Sequence, residues 1–432
     1  MTMITQAFRA SLLYYTGNPL HDPNGVRWHN DGLLLISGSH IHAAGDYAQL
    51  SHLIPTHVDV QHFPGKIIMP GFIDTHIHYP QTDIIASPAP GLLPWLDQYT
   101  FPAERRFQNP EHAQEVAAFF LDELLRCGTT TAMVYSTVHK ESVDAFFSES
   151  DKRGLRMITG KVLMDRHCPD FLQDTAESGA RDSEMLIRKW HGRGRQMYAL
   201  TPRFAPTSTE AQLALTGELA AQYRDTFIQS HVAENKEECA WARSLFPQAR
   251  SYLDIYDRYG LMRDRAVYGH CIWLDDTDRQ RMKETNTVAS LCPTSNLFLG
   301  SGLFDFAAAD SAGILMSMAT DVGGGTSFSM LRTMNELYKV ARLGGYYLPA
   351  TQMFYLATLG GAKALQLDHL IGSLQAGREA DFIILNPAPT PLLKRRSQHI
   401  NSLEEQLFML AILGDERCVE AVYAAGEKQT YS

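Results

Sequence analysis

The sequence of 432 residues has no paired cysteines: its six, at 127, 168, 239, 271, 292 and 418, stand singly with no CxxC among them. Such spacing excludes a disulfide framework and fits reduced thiols acting as small buried hydrophobes, as expected of a cytoplasmic protein. No apolar run approaches the roughly 20 residues of a bilayer span. The opening MTMITQAFRASLLYYTGNP lacks the charged start and apolar core of a secretory signal, so no membrane partner is expected. Basic runs are missing as well. With 38 Lys and Arg against 48 Asp and Glu the net charge is −10, and no segment forms an electrostatic footprint for nucleic acid, so no nucleic-acid partner is expected. Internal repeats, low-complexity tracts and linkers are also absent. What is present is a hydrophobic content of 45%, enough to bury a large core. The length fits two or three domains, or one barrel with attachments.

From residue 66 onward, short apolar runs alternate with stretches long enough for a helix. They are KIIMPGFIDTHIH (66–78), TTTAMVYSTV (129–138), LRMITGKVLM (155–164), MYALTPRFAP (197–206), TFIQSHVAE (226–234), RAVYGHCIW (265–273), TVASLCPTSN (287–296) and ILMSMATDVG (314–323). Between the first two, Ala113, Val116, Ala117, Phe120, Leu121 and Leu124 make one helical stripe that Gly128 ends. The repeated unit is strand then helix, which predicts an α/β protein built on a (β/α)8 barrel; a doubly wound open sheet is the alternative. The barrel is favoured because polar residues gather at the carboxyl ends of the runs, which converge on one mouth in a barrel and not in an open sheet. The flanks read as strands and turns, for example GLLLISGSHIHAAG, ADFIILNP and CVEAVYAAGE. The expected division is a small antiparallel β-sandwich from residues 1–65 and 372–432 around a barrel of residues 66–371.

Alternate strand side chains share a face, so His76 and His78 can act as a two-pronged metal ligand while Ile77 points away. HxH alone is weak evidence: a second copy at 40–42 has no downstream partner and reads as ordinary strand and turn. The later pair gains weight from His231, His270 and Asp321, each ending a separate run. Imidazoles with one carboxylate suit a zinc-like divalent ion that keeps a position open for water. In HVAE, Glu234 follows His231 by three residues and is the candidate proton carrier. Its plain alternative is a solvated start to the acidic segment ENKEECA. MYALTPRFAP offers no lysine to bridge two metals, which points to a single ion. It does offer Arg203, either a planar fork of donors for a carbonyl oxygen or ring edge, or half of an ion pair. Phe204 and Trp95 can cover an aromatic face, or simply pack.

The set HxH, HxxE, H and D, with CPTSN (292–296) and IGSLQAGREADFIIL (371–385), resembles the amidohydrolase superfamily over almost the whole chain. Within it, THIHYPQ, FPAERR, TPRFAPTS, HVAENKEE, CPTSNLFLGSGLF and ATDVGGGTSFSM are similar to segments of the guanine deaminases. That resemblance implies one zinc on His76, His78, His231 and Asp321, with His270 on or near the metal-bound water; iron or manganese would suit the same ligands. It implies a purine substrate contacted by Gln81, Arg203 and Phe204, with Trp95, His231 and Glu234 completing the pocket, and a homodimer. The implied reaction is hydrolytic removal of the C2 amino group, with Glu234 moving protons and His270 and Asp321 steadying the attacking oxygen. The residues themselves reach only a mononuclear hydrolase acting at an electron-poor carbon. Related heterocycles such as 8-oxoguanine, a pterin or an aminotriazine remain open, and a non-catalytic barrel is the contrasting class.

Overall fold

The computed structural model describes residues 3–431. Strands β1 (Gln6–Tyr15), β2 (Val26–Ser37), β3 (His40–Asp46) and β4 (Val60–Pro70) come first. Next are β5 (Phe72–His78), β6 (Thr129–Tyr135), β7 (Arg156–Gly160), the short β8 (Val162–Leu163), β9 (Met197–Pro202), β10 (Phe227–Val232), β11 (Ala266–His270), β12 (Val288–Leu291) and β13 (Leu315–Met318). The chain ends with β14 (Phe382–Leu385), β15 (Val419–Ala424) and β16 (Glu427–Lys428).

Strands β5, β6, β7, β9, β10, β11, β12 and β13 are neighbours in that order and run parallel. The ring closes where the last strand meets the first: the His78 amide donates to the Val322 carbonyl at 2.7 Å and the Asp321 amide to the His76 carbonyl at 2.9 Å. Ile73, Met133, Ile158, Ala199, Phe227, Val267 and Val288 come from seven successive strands yet form one cluster with Leu365 and Leu367. Side chains from so many strands of a closed barrel can meet only in its interior, so these residues fill the end opposite the site. Their neighbours one position on, such as Val134, Leu200, Ile228 and Tyr268, belong to the larger cluster under the helices, the period-two alternation of a strand.

The expected helix spans Pro110–Arg126, buries Ala113, Val116, Ala117, Phe120, Leu121 and Leu124 together with Leu125, and is capped by the Asn109 side chain accepting from the amides of Glu111 and His112. Gly128 then adopts φ +82°.

Two expectations about strands change. The run 66–78 is two strands in two sheets: β4 pairs with β1 and β14, whereas β5 starts the barrel. The break falls at Gly71, where a Cβ would stand 2.1 Å from Thr130 Oγ1, after a proline that carries no amide for a ladder. The run 287–296 is strand only to Leu291, because Pro293 opens a helix, Pro293–Phe298.

The termini share one seven-stranded sheet, ordered β16-β15-β14-β4-β1-β2-β3. It is mixed and not purely antiparallel, since β4 returns beside β1 in the same direction after the β2–β3 hairpin. His40 and His42 lie in β3, as read. The stretch beyond 372 also contains a helix, Leu403–Leu413, that joins the barrel: Glu404 accepts from the amides of Ala350 (2.6 Å) and Thr351 (3.2 Å), and Asn335 Nδ2 donates to the Ile412 carbonyl at 3.0 Å. Under the barrel, Arg156 and Arg195 grip Glu379, and Arg195 also pairs with Asp381, tying sheet to barrel. Among the described residues no helix is long and apolar enough to cross a membrane.

Candidate active site

Four side chains meet at the seam of the barrel. His78 Nε2 lies 3.4 Å from His76 Nε2 and 3.2 Å from His231 Nε2, and Asp321 Oδ1 lies 3.3 Å from Nε2 of both His76 and His78. Ligands held 2.0–2.1 Å from a tetrahedral ion stand about 3.3–3.4 Å apart, so these four atoms fit around one metal. The donor chemistry agrees. His231 Nδ1 is hydrogen-bonded to the Arg203 carbonyl at 2.6 Å, which places the ring proton there and the lone pair on Nε2. Burial pulls His78 down to about 3, and burial with the neighbouring imidazoles holds His231 well below its usual range, so both rings are neutral. Burial opposes the charge of Asp321, but the surrounding histidines outweigh it and keep the carboxylate well below its ordinary range. A second possible group joins His76, His270 and Asp321 to Cys292. It is the poorer set, because burial drives the Cys292 thiol well above its usual value and leaves it protonated.

The strand ends that present these groups are locally unusual. Ala233, His270, Cys271 and Asp321 all have φ between 51° and 72°, a backbone region costing about 1–3 kcal/mol per residue and tolerated where surrounding structure imposes it. Gly269 leaves room for the first ligand: a Cβ there would lie 2.4 Å from His76 Cε1.

Beside the ligands, His270 Nδ1 bonds to Asn296 Oδ1 at 2.8 Å, and its buried Nε2 has no hydrogen-bond partner. That nitrogen faces Glu234 Oε2 at 3.4 Å and Asp321 Oδ2 at 3.7 Å. Burial first, then the charge of Asp321, pushes the Glu234 carboxyl up, which suits a group that takes and gives a proton. Ser301 Oγ donates to Glu234 Oε1 at 2.9 Å, and the Glu234 amide donates to Glu238 Oε2 at 2.9 Å.

The cavity above has a volume of about 400 Å³, open mouth included, and is lined by His78, Gln81, Trp95, Arg203, Phe204, His231, Glu234, His270 and Asp321, with Leu92, Leu96 and Leu299 as apolar wall. Every residue singled out from the sequence therefore lines this cavity, except His76, which is fully buried behind it. Arg203 combines both of its readings: it lines the cavity and it is ion-paired, with Nη1 bonded to both oxygens of buried Glu104 at 2.8 and 2.9 Å. Glu104, Ser301, Glu238 and Asn296 were not singled out. Glu238 acts on Glu234 from four residues along the chain and the other three on recognised residues from far away in sequence; FPAERR, CPTSNLFLGSGLF and HVAENKEE, noted for resemblance, contain all four.

The model of the amidohydrolase family matches residues 67–428. The chain belongs to that family. Guanine deaminase of Escherichia coli (strain K12) is 47% identical over 424 residues, covering 98% of this chain and 97% of its own. The solved E. coli guanine deaminase superposes with a TM-score of 0.97 at 46% identity, over 99% of this amidohydrolase and 100% of that chain. The crystal structure of guanine deaminase from C. acetobutylicum, with guanine bound in its active site, has a TM-score of 0.88 at 26% identity, over 98% and 99% of the two chains. A His/Asp group able to hold a divalent ion, present here, is what this amidohydrolase fold is built to display.

Proposed function

We propose that this amidohydrolase converts guanine and water to xanthine and ammonia with a single zinc held by His76, His78, His231 and Asp321. The observation that carries the reading is that one cavity unites this ligand group, the Glu234 carboxyl and the Arg203–Gln81 edge. A divalent ion so held lowers the pKa of a coordinated water and so supplies a nucleophile near neutral pH. The protein's own groups do the rest. With C2 of guanine turned toward the ligands, O6 and N7 are acceptors that look toward the donors of Arg203 and Gln81. Phe204 and Trp95 bound the flat ring, and the leucine wall excludes water around it. Glu234 takes the proton of the attacking water through Oε2 and passes it to a ring nitrogen. His270 Nε2 and Asp321 Oδ2 orient that water, and a second proton goes to the departing amine, which leaves as ammonia.

Ammonia release from guanine, 8-oxoguanine, adenine, cytosine and melamine, combined with metal analysis, tests the reading. Guanine is expected to win by orders of magnitude with one zinc per chain, and chelation should abolish turnover until metal is restored. A different preferred heterocycle, or full activity after complete removal of metal, would overturn it. The reading extends to purine catabolism by a cytoplasmic homodimer. The absence of any disulfide among the six cysteines supports a reducing compartment, and sedimentation of the purified protein checks the dimer.

A further inference from the structure

We propose that Glu104 is a specificity-determining positioning residue: by neutralising Arg203 at the recognition edge it makes the pocket select an uncharged purine and refuse purine anions. The proposal rests on the guanine reading above and adds a residue outside its ligand set and proton path. Glu104 stands on the short helix Phe101–Arg105 and is fully buried. Both of its oxygens accept from Arg203 Nη1, and the Gln81 side chain lies near enough to favour its ionised form. Gln81 Oε1 accepts from the Gly323 amide at 3.2 Å, so the amide NH2 is the end that faces Glu104. The Phe101 ring lies 5.6 Å from the Arg203 guanidinium and adds an apolar wall beside the pair. One carboxylate thus fixes the orientation of Arg203 and stands beside Gln81, the two residues placed at the far edge of the substrate.

The consequence follows from charge. A buried guanidinium cannot shed its proton, and alone it would be a strong anion site in this apolar-walled cavity. Paired with Glu104 it presents donors without net charge. At this edge a neutral ring gains those hydrogen bonds, whereas an anion loses its hydration and meets no surplus positive charge from the Arg203–Glu104 pair. An opposite charge placed within a few ångströms favours an ionised group by roughly ten- to a thousandfold, and that is the attraction Glu104 cancels. The product gives this a purpose. Xanthine carries an N–H between two carbonyls and is a stronger acid than guanine, so an unpaired Arg203 would hold its anion and slow release.

The test compares two inhibitors on one preparation of the zinc enzyme: urate, an anion at neutral pH, and hypoxanthine, neutral there. In wild type hypoxanthine should bind at least tenfold more tightly than urate. In Glu104→Gln the ratio of their inhibition constants should shift toward urate by roughly tenfold or more. The fraction of folded protein cancels in that ratio. Glu104→Asp, which keeps the charge, should hold the wild-type ratio even where kcat/KM for guanine falls. An unchanged ratio in Glu104→Gln overturns the proposal. Should that variant not fold, the wild-type ratio decides: a preference for hypoxanthine below tenfold overturns it. Guanine turnover by wild type is measured alongside, so failure of the substrate reading appears there and failure of the charge argument appears in the ratio.

Discussion

Glu234 is held at three points: its amide by Glu238, its Oε1 by Ser301, and its Oε2 facing His270. The serine hydroxyl occupies one carboxylate oxygen, which leaves the other for the proton transfer proposed above. On the proposed mechanism Glu234→Gln should keep metal and fold while kcat drops by orders of magnitude, because it removes the proposed proton carrier and little else. Ser301→Ala should lower kcat by only about tenfold, the cost of one lost hydrogen bond to a charged group, with KM nearly unchanged. Equal losses in the two variants, read by steady-state kinetics beside metal analysis, would contradict this division of labour. At this scale the sequence reveals the residues that carry spacing: HxH, and the glutamate three after His231. Glu238 shows the limit. It sits in ENKEECA, which reads as a solvated acidic segment, yet it is fully buried and takes the Tyr252 hydroxyl at 2.6 Å. A supporting residue is defined by what it touches in space, and Glu104, about a hundred positions before Arg203, has no periodicity to betray it.

The strands place the proposed ligands, and their ends carry the strain. Gly269, one residue before His270 in β11, allows the His76 ring to pass against the backbone. Gly269→Ala should therefore push His76 out of the ligand group, lowering metal content and turnover together while the helices stay formed. Metal analysis with circular dichroism checks this, and a variant with full metal and activity would show that the ring can move aside. Strand existence was legible from apolar runs, and so was the buried stripe of Pro110–Arg126. Strand ends were not: the runs overshoot β6, β9, β11, β12 and β13 by several residues because most residues lining the mouth, polar ones included, are as buried as the strands. Hydropathy measures burial, and at a barrel mouth burial continues after the ladder has stopped. The hop at Gly71 escapes for the same reason, since β4 and β5 are both buried there and only their partners differ.

For the whole molecule, the union of barrel and terminal sheet depends on charge at its underside. Burial pushes the Glu379 carboxyl up, but Arg156 and Arg195 more than offset that and hold it below its usual 4.5. A depressed folded value means the network stabilises fully above the unfolded value, from about pH 5 upward, and is lost as pH falls through the folded one. Glu379→Gln should destabilise the protein by roughly 2–3 kcal/mol at neutral pH, less than a fully dry pair would lose. Denaturant melts of wild type and variant should converge as the solution is made acidic; a gap that does not narrow on acidification would assign the loss to packing. The seam between β5 and β13 bears on a different matter, the order of events as the chain is made. Two of the proposed ligands leave the first barrel strand and a third follows the last, and the same backbone bonds that place them close the ring. The proposed four-residue ligand set is therefore complete only once the final barrel strand has docked, so metal uptake by the full set would time that event.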